Sequence, residues 1–209
     1  MTGRSMAAAA REARASAPAG GTGRMRPLVA ASLLLAGAAL LLGSLWIPVK
    51  AEVAQWLLNR AWAATQDDRR PVKPWPWADT WPVARLELPT ADGPLTVLAG
   101  ASGRNLAFGP ALMDGTALPG TAGVSVIAGH RDTHFRALEG LRVGDRFRIE
   151  RPDGAVYAYE VAAVDIVDAT QTMLRLDAEE SMVALVTCWP FDAIVPNGPL
   201  RYVVTGVRF

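Results

Sequence analysis

Met182-Val183-Ala184-Leu185-Val186-Thr187-Cys188 is an apolar run, rich in branched side chains, that ends on the single cysteine of a 209-residue chain. A short run of this composition reads as a buried strand, and its end is a place where a polar side chain can face a groove on a rigid support. Two further residues stand at comparable places. His130 closes Val124-Ser125-Val126-Ile127-Ala128-Gly129, and Arg201 opens Arg201-Tyr202-Val203-Val204-Thr205-Gly206-Val207. A thiol is a strong nucleophile only as thiolate and needs cationic or hydrogen-bonding neighbours. His130 and Arg201 are the residues that can supply them to Cys188.

Working outward, strand-like runs recur at 83–88, 95–98, 124–129, 146–150, 155–164, 181–188 and 200–209. Turn residues separate them, with Ala91-Asp92-Gly93-Pro94 and Pro152-Asp153-Gly154 predicting hairpins. Only 104–113 and 135–138 predict short helices. The pattern is all-β, and a closed barrel of about eight strands is the natural way to protect so many edges.

The near-neutral net charge conceals an asymmetry. Residues 1–50 carry six basic side chains against Glu12 alone, leaving 15 basic and 19 acidic residues for the remainder. No clustered basic face exists to meet phosphates, which argues against nucleic-acid binding. Residues 28–47 hold no charge and match the roughly 20 apolar residues a helix needs to cross a bilayer. The run exceeds a signal-peptide core and follows a long basic leader, so an uncleaved anchor is expected. Arg4, Arg11, Arg14, Arg24 and Arg26 precede it while Lys50 and Glu52 follow, placing the N-terminus in the cytoplasm and the bulk outside.

The expected organisation is a disordered basic cytoplasmic tail over 1–26, a transmembrane anchor over 27–49, an amphipathic helix and Pro/Trp-rich linker over 50–78, and a β-barrel over 79–209. In the third segment Val53, Trp56, Leu57, Ala61 and Ala64 lie at helical spacing and predict the buried or membrane-facing side. Prolines at 71, 74 and 76 forbid helix and central strand, marking a boundary. Six of the seven tryptophans precede residue 82, and they serve either a bilayer interface or the sealing of the barrel.

Three motifs, Ala128-Gly129-His130-Arg131, Leu185-Val186-Thr187-Cys188 and Pro199-Leu200-Arg201-Tyr202, resemble in order the histidine, cysteine and arginine motifs of sortases, the membrane-anchored cysteine transpeptidases. The similarity covers about residues 80–209. The stretch Lys73-Pro74-Trp75-Pro76-Trp77-Ala78-Asp79-Thr80-Trp81-Pro82 is further similar to the class GN sortases of Gram-negative bacteria. One departure stands out: the family's cysteine motif reads Thr-Leu-x-Thr-Cys, and Ala184 replaces its first threonine. That position is expected to affect packing more than chemistry.

The resemblance implies a sequence of roles. Cys188 attacks the carbonyl of a Thr-Gly-type bond in a C-terminal LPxTG-like sorting signal, and His130 protonates the departing amine before deprotonating the incoming one. Arg201 stabilises the oxyanion or holds substrate carbonyls, a type of contact whose loss commonly costs roughly 3 kcal/mol. The backbone N–H of Trp189 is expected at the oxyanion site and the Thr187 hydroxyl as a support of the groove. The implied partners are a dedicated sorting-signal protein, an amine acceptor and the inner membrane, with the barrel in the periplasm. No cofactor and no metal are expected, because one cysteine and two histidines four apart do not make a ligand set.

Competing readings attach to the same residues. His134 is an alternative base, with capping or surface contact as its plainer role, and Arg131 is expected to pair with Asp132 on the surface. The chain between Trp189 and Pro199 reads as the loop that walls the groove, where Asp192 and Asn197 could meet substrate or merely connect strands. Other envelope cysteine enzymes remain, a hydrolase or an L,D-transpeptidase, although the latter's Ser-His-Gly-Cys type motif is not what precedes Cys188. A membrane-tethered β-barrel binding module with an inert buried cysteine is the reading from a different class.

Overall fold

The computed structural model describes residues 22–173, 175–194 and 198–209, with the side chains at 22–26, 42, 45 and 47 left outside. Most of the basic tail expected over 1–26, and Asn197, therefore lie outside the described residues. The chain divides into two compact units, Met1–Val49 and Lys50–Phe209. Helix α1 (Thr22–Asp68) runs from the first into the second. Among the described residues no helix is long and apolar enough to cross a membrane, and Leu42, Leu45 and Ile47 of the 28–47 run are not among the described side chains.

The second unit is built on eight strands: β1 (Pro82–Glu87), β2 (Leu95–Ala99), β3 (Ala111–Leu112), β4 (Gly123–Ala128), β5 (Arg146–Glu150), β6 (Val156–Asp168), β7 (Ser181–Cys188) and β8 (Leu200–Arg208). They close a barrel in the order β1-β2-β3-β4-β7-β8-β6-β5. Closure pairs every edge. The predicted turns at 91–94 and 152–154 join antiparallel pairs, β1 with β2 and β5 with β6. Strand β7 has the bounds its apolar run predicts, whereas β3, only two residues long, leaves no period to read. The short helices are α2 (Gly103–Leu106) and a 3-10 helix (His134–Gly140).

β7 is the central strand of the site. It runs parallel to β4 and antiparallel to β8. Period-2 alternation sends Val183 and Leu185 into the barrel core with Ile127, Phe147, Ile149, Tyr159 and Val204. The same alternation sends Ala184 to the outer face, where it meets Val124, Val126 and Val203, with half-buried Met182, Val186, Val167 and Ala178 around them. Both faces of β7 are covered, which explains an unbroken apolar run where a one-sided strand would alternate.

The end of α1 packs on the barrel. Ala54, Leu58, Ala61, Trp62 and Thr65 are its buried residues, and Leu58 clusters with Leu98 and Ala111. The expected face included Val53 and Trp56, which are instead 50% and 60% exposed. The true face is offset by one residue because apolar side chains occupy more than one side of this helix, and the barrel surface selects among them. Burial of Leu58 and Trp62 contributes on the order of 1.5–3 kcal/mol each. Gln55 Nε2 donates to Phe108 O at 2.8 Å, Gln66 Nε2 to Glu150 Oε1 at 2.8 Å, and the Arg85 guanidinium sits 5.4 Å from the Trp62 ring centre. In the Pro/Trp-rich stretch, Trp75 meets Phe108 edge-on at 4.9 Å while Trp77 is exposed.

Candidate active site

Cys188 is the last residue of β7, and its Cα partner across the antiparallel ladder is Arg201 in β8. On the other side, Ala128 of β4 is the Cα partner of Val186, and Gly129 N donates to Val186 O at 3.0 Å, so the parallel register continues past the strand end. His130, two residues beyond Ala128, thus stands level with Cys188, two residues beyond Val186. Two parallel strands ending together and a third beginning beside them bring the thiol, imidazole and guanidinium to one end of the barrel. Alternation settles the face. Cys188 shares the parity of Ala184 and Val186, and Arg201 that of Val203, so both belong to the outer face with its apolar patch.

The thiol is free and half-buried, the imidazole exposed, and the guanidinium half-buried. Arg201 Nη1 donates to Gly198 O at 2.7 Å and to Leu200 O at 2.9 Å, and among the described residues its remaining N–H groups are unengaged.

Thr187 points inward and is buried. Its Oγ1 donates to Gly129 O at 2.7 Å, tying the residue before the cysteine to the residue before the histidine. A Cβ on Gly129 would stand 2.7 Å from the Phe135 ring, so only glycine lets the 3-10 helix close over the turn that carries His130. Phe135 N donates to His130 O at 3.0 Å and completes that turn.

The backbone N–H of Trp189 donates to Leu200 O at 3.0 Å, extending the β7–β8 ladder. The N–H expected at the oxyanion site is thus engaged within the ladder. The Trp189 ring instead stacks on Tyr202 at 5.6 Å, and Phe191 meets both rings edge-on at 5.6 and 5.1 Å. This aromatic root joins the loop after Cys188, through Trp189 and Phe191, to Tyr202 of β8, a pairing no local sequence pattern signals. Burial, then the Glu139 carboxylate, raises the Tyr202 phenol above its ordinary value.

His134 begins the 3-10 helix, half-buried, with Nδ1 3.3 Å from Thr133 Oγ1. Burial and the neighbouring charge of His130 lower its pKa below the usual histidine value. It lines a cleft of about 840 Å³ with Thr133, Arg136, Glu139, Ala91 and Asp92. Arg131 departs from expectation. Its Nε does lie 3.3 Å from Asp132, but the side chain is buried rather than on the surface, and its two terminal nitrogens reach the loop after Cys188. Asp192 is exposed on that loop. Among the described residues no group of three or more His, Cys, Asp or Glu side chains is arranged to hold a metal ion.

Eight strands thus close a barrel around the parallel β4–β7 pair, with Cys188, His130 and Arg201 toward one end. The family model described as a Sortase domain matches residues 86–209, and the chain belongs to the sortase family. It is 34% identical over 124 residues to Sortase D of Bacillus subtilis (strain 168), covering 59% of this chain and 62% of that protein. Among solved structures, Sortase A from Corynebacterium diphtheriae is similar with a TM-score of 0.57 and 29% identity, covering 64% of this chain and 63% of that one. Sortase C-1 from Actinomyces oris is similar with a TM-score of 0.54 and 32% identity over 61% and 74% of the two chains. The chain thus spans less than two thirds of the length of the first two.

Proposed function

We propose that this protein is a sortase-type cysteine transpeptidase in which Cys188 is the nucleophile, His130 the general acid and base, and Arg201 the oxyanion or substrate-carbonyl clamp. The observation that carries the reading is the register: Cys188 opposite Arg201 and level with His130, on the face that bears the apolar patch of Val126, Ala184 and Val203. An extended peptide reaching the strand ends, where Cys188 is half-buried rather than enclosed, would present a carbonyl to the sulfur. Attack by the thiolate forms a C–S bond and breaks the peptide C–N bond, while His130 passes its proton to the departing amine. An incoming amine then attacks the thioester, gives its proton to His130 and restores the thiolate. Arg201 is suited to the negative oxygen because its fork has further donors beyond the Nη1 contacts to the loop.

The substrate proposed is a protein with a C-terminal LPxTG-like signal, and the acceptor is an amine. The anchor remains part of the proposal: 28–47 carries no charge, and Leu28, Leu33, Leu34, Leu35, Leu40 and Leu41 are 67% to 76% exposed, surfaces that favour a hydrocarbon environment over water. We assign it to the inner membrane with the barrel in the periplasm, and to class GN on the Lys73–Pro82 stretch.

The decisive experiment mixes the full chain with an LPxTG-like peptide and an amine, and follows it by intact mass spectrometry. A thioester adduct and an amide product in the wild type, both absent in Cys188→Ala, support the reading. Product formation by Cys188→Ala, or a native thiol that no methanethiosulfonate reagent labels, would overturn it.

A further inference from the structure

Arg131, the residue after His130, is 8% exposed. A buried guanidinium is tolerated only where its donors are matched, and the usual match is a buried carboxylate. Here the one carboxylate beside it, Asp132, is 77% exposed at 3.3 Å from Nε. The remaining donors are met by main-chain oxygens: Nη1 donates to Pro190 O at 2.9 Å and Nη2 to Ala193 O at 2.7 Å. Both carbonyls belong to the first turn of the loop that begins directly after Cys188. What this buried charge maintains is loop geometry.

The other contacts give that geometry a purpose. Thr187 Oγ1 holds Gly129 O on one side of His130, and Arg131 holds Pro190 and Ala193 on the other. His130 is therefore bracketed by two cross-links, each tied to a residue within five positions of Cys188. The far end of the loop hangs on Arg201, through Gly198 O and Leu200 O.

We propose that Arg131 is a positioning residue for the reaction: it locks the His130 turn to the segment after Cys188, and it keeps the loop in place when Arg201 turns its guanidinium from the loop carbonyls to the substrate. The assignment rests on the transpeptidase reading of Cys188 and His130. A planar fork with two separated donors is required, because a single ammonium cannot hold two carbonyls three residues apart in the same way.

The test compares the full chain with Arg131→Met and Arg131→Lys, measuring kcat and KM for acyl transfer from an LPxTG-like peptide across pH, with the folded fraction determined in parallel. Both variants should lose about 10- to 100-fold in kcat/KM per folded molecule, the scale of an ångström-level misplacement at a reacting centre. The pH profile of kcat/KM should also move. A purely structural arginine would lower the folded fraction and leave kcat/KM per folded molecule and the pH profile unchanged, and that result overturns the proposal. Should Arg131→Met fail to fold, Arg131→Lys decides alone: wild-type kinetics in it overturn the proposal, and loss with a shifted profile supports it. A wild-type chain without Cys188-dependent turnover would sink the transpeptidase reading and this one with it. An active wild type matched by both variants would remove only the role of Arg131.

Discussion

Cys188 and Arg201 are direct Cα partners across the β7–β8 ladder, one ending its strand and the other near the start of the next. Directly opposed residues on antiparallel strands project to the same face with Cβ atoms roughly 4.5–5.5 Å apart. The ladder holds the two Cα atoms opposite each other, so the backbone keeps both side chains rooted side by side on one face. The Arg201 head is then free to exchange loop carbonyls for substrate without moving its Cα.

Arg201→Lys should retain the fold and lose turnover. A lysine can replace neither the fork nor both carbonyl contacts, and oxyanion donors of this kind are worth about 2.7–4 kcal/mol, or roughly a 100- to 1,000-fold loss in kcat. Steady-state kinetics on a sorting-signal peptide, beside a thermal melt, check this. A lysine variant with normal kcat would reduce Arg201 to a loop support.

Thr187→Val should cost about 1–3 kcal/mol of stability, because Gly129 O loses a buried donor while shape is kept. The same change should depress activity, since the cross-link that sets the His130 turn is gone. Chemical denaturation and acyl-transfer rates on one preparation separate the two effects.

Gly129→Ala should destabilise by about 1–3 kcal/mol through overpacking against Phe135. Adding Phe135→Leu to the same chain should recover part of the loss. If the single variant melts with the wild type, the close approach of the 3-10 helix to Gly129 is not a constraint.

Folding stability should fall on acidification through the histidine range. His134 has a folded-state pKa below its ordinary value, owing first to burial and then to His130, so over that interval the unfolded chain binds a proton that the folded chain does not. Stability therefore rises with pH there and declines as pH drops. His134→Gln should flatten this part of the curve. Denaturation midpoints at several pH values, compared between the two chains, measure the difference.

The legible parts of this molecule are those whose physics is local. The β7 bounds follow from an apolar run closed by Cys188, and the β1–β2 and β5–β6 hairpins from Ala91-Asp92-Gly93-Pro94 and Pro152-Asp153-Gly154. The illegible parts depend on partners far along the chain. β3 exists because Ala111 and Leu112 fill the place between β2 and β4, and α1 buries Leu58 and Trp62 rather than Val53 and Trp56 because Leu98 and Ala111 lie on that side. β6 reaches Asp168, past its apolar pattern, because β8 pairs with it over that length.

By composition and spacing alone, the chain already declared an all-β domain with a cysteine, a histidine and an arginine at strand ends, since strand period, turn chemistry and thiol reactivity are properties of neighbouring residues. Their meeting was decided by tertiary structure. A parallel β4–β7 ladder had to bring residues 130 and 188 level, Leu200 O had to claim the Trp189 N–H, and two carbonyls of a distant loop had to draw the Arg131 guanidinium inside. Partners some 60 positions away, as those of Arg131 and Thr187 are, carry no signature in the local sequence that meets them.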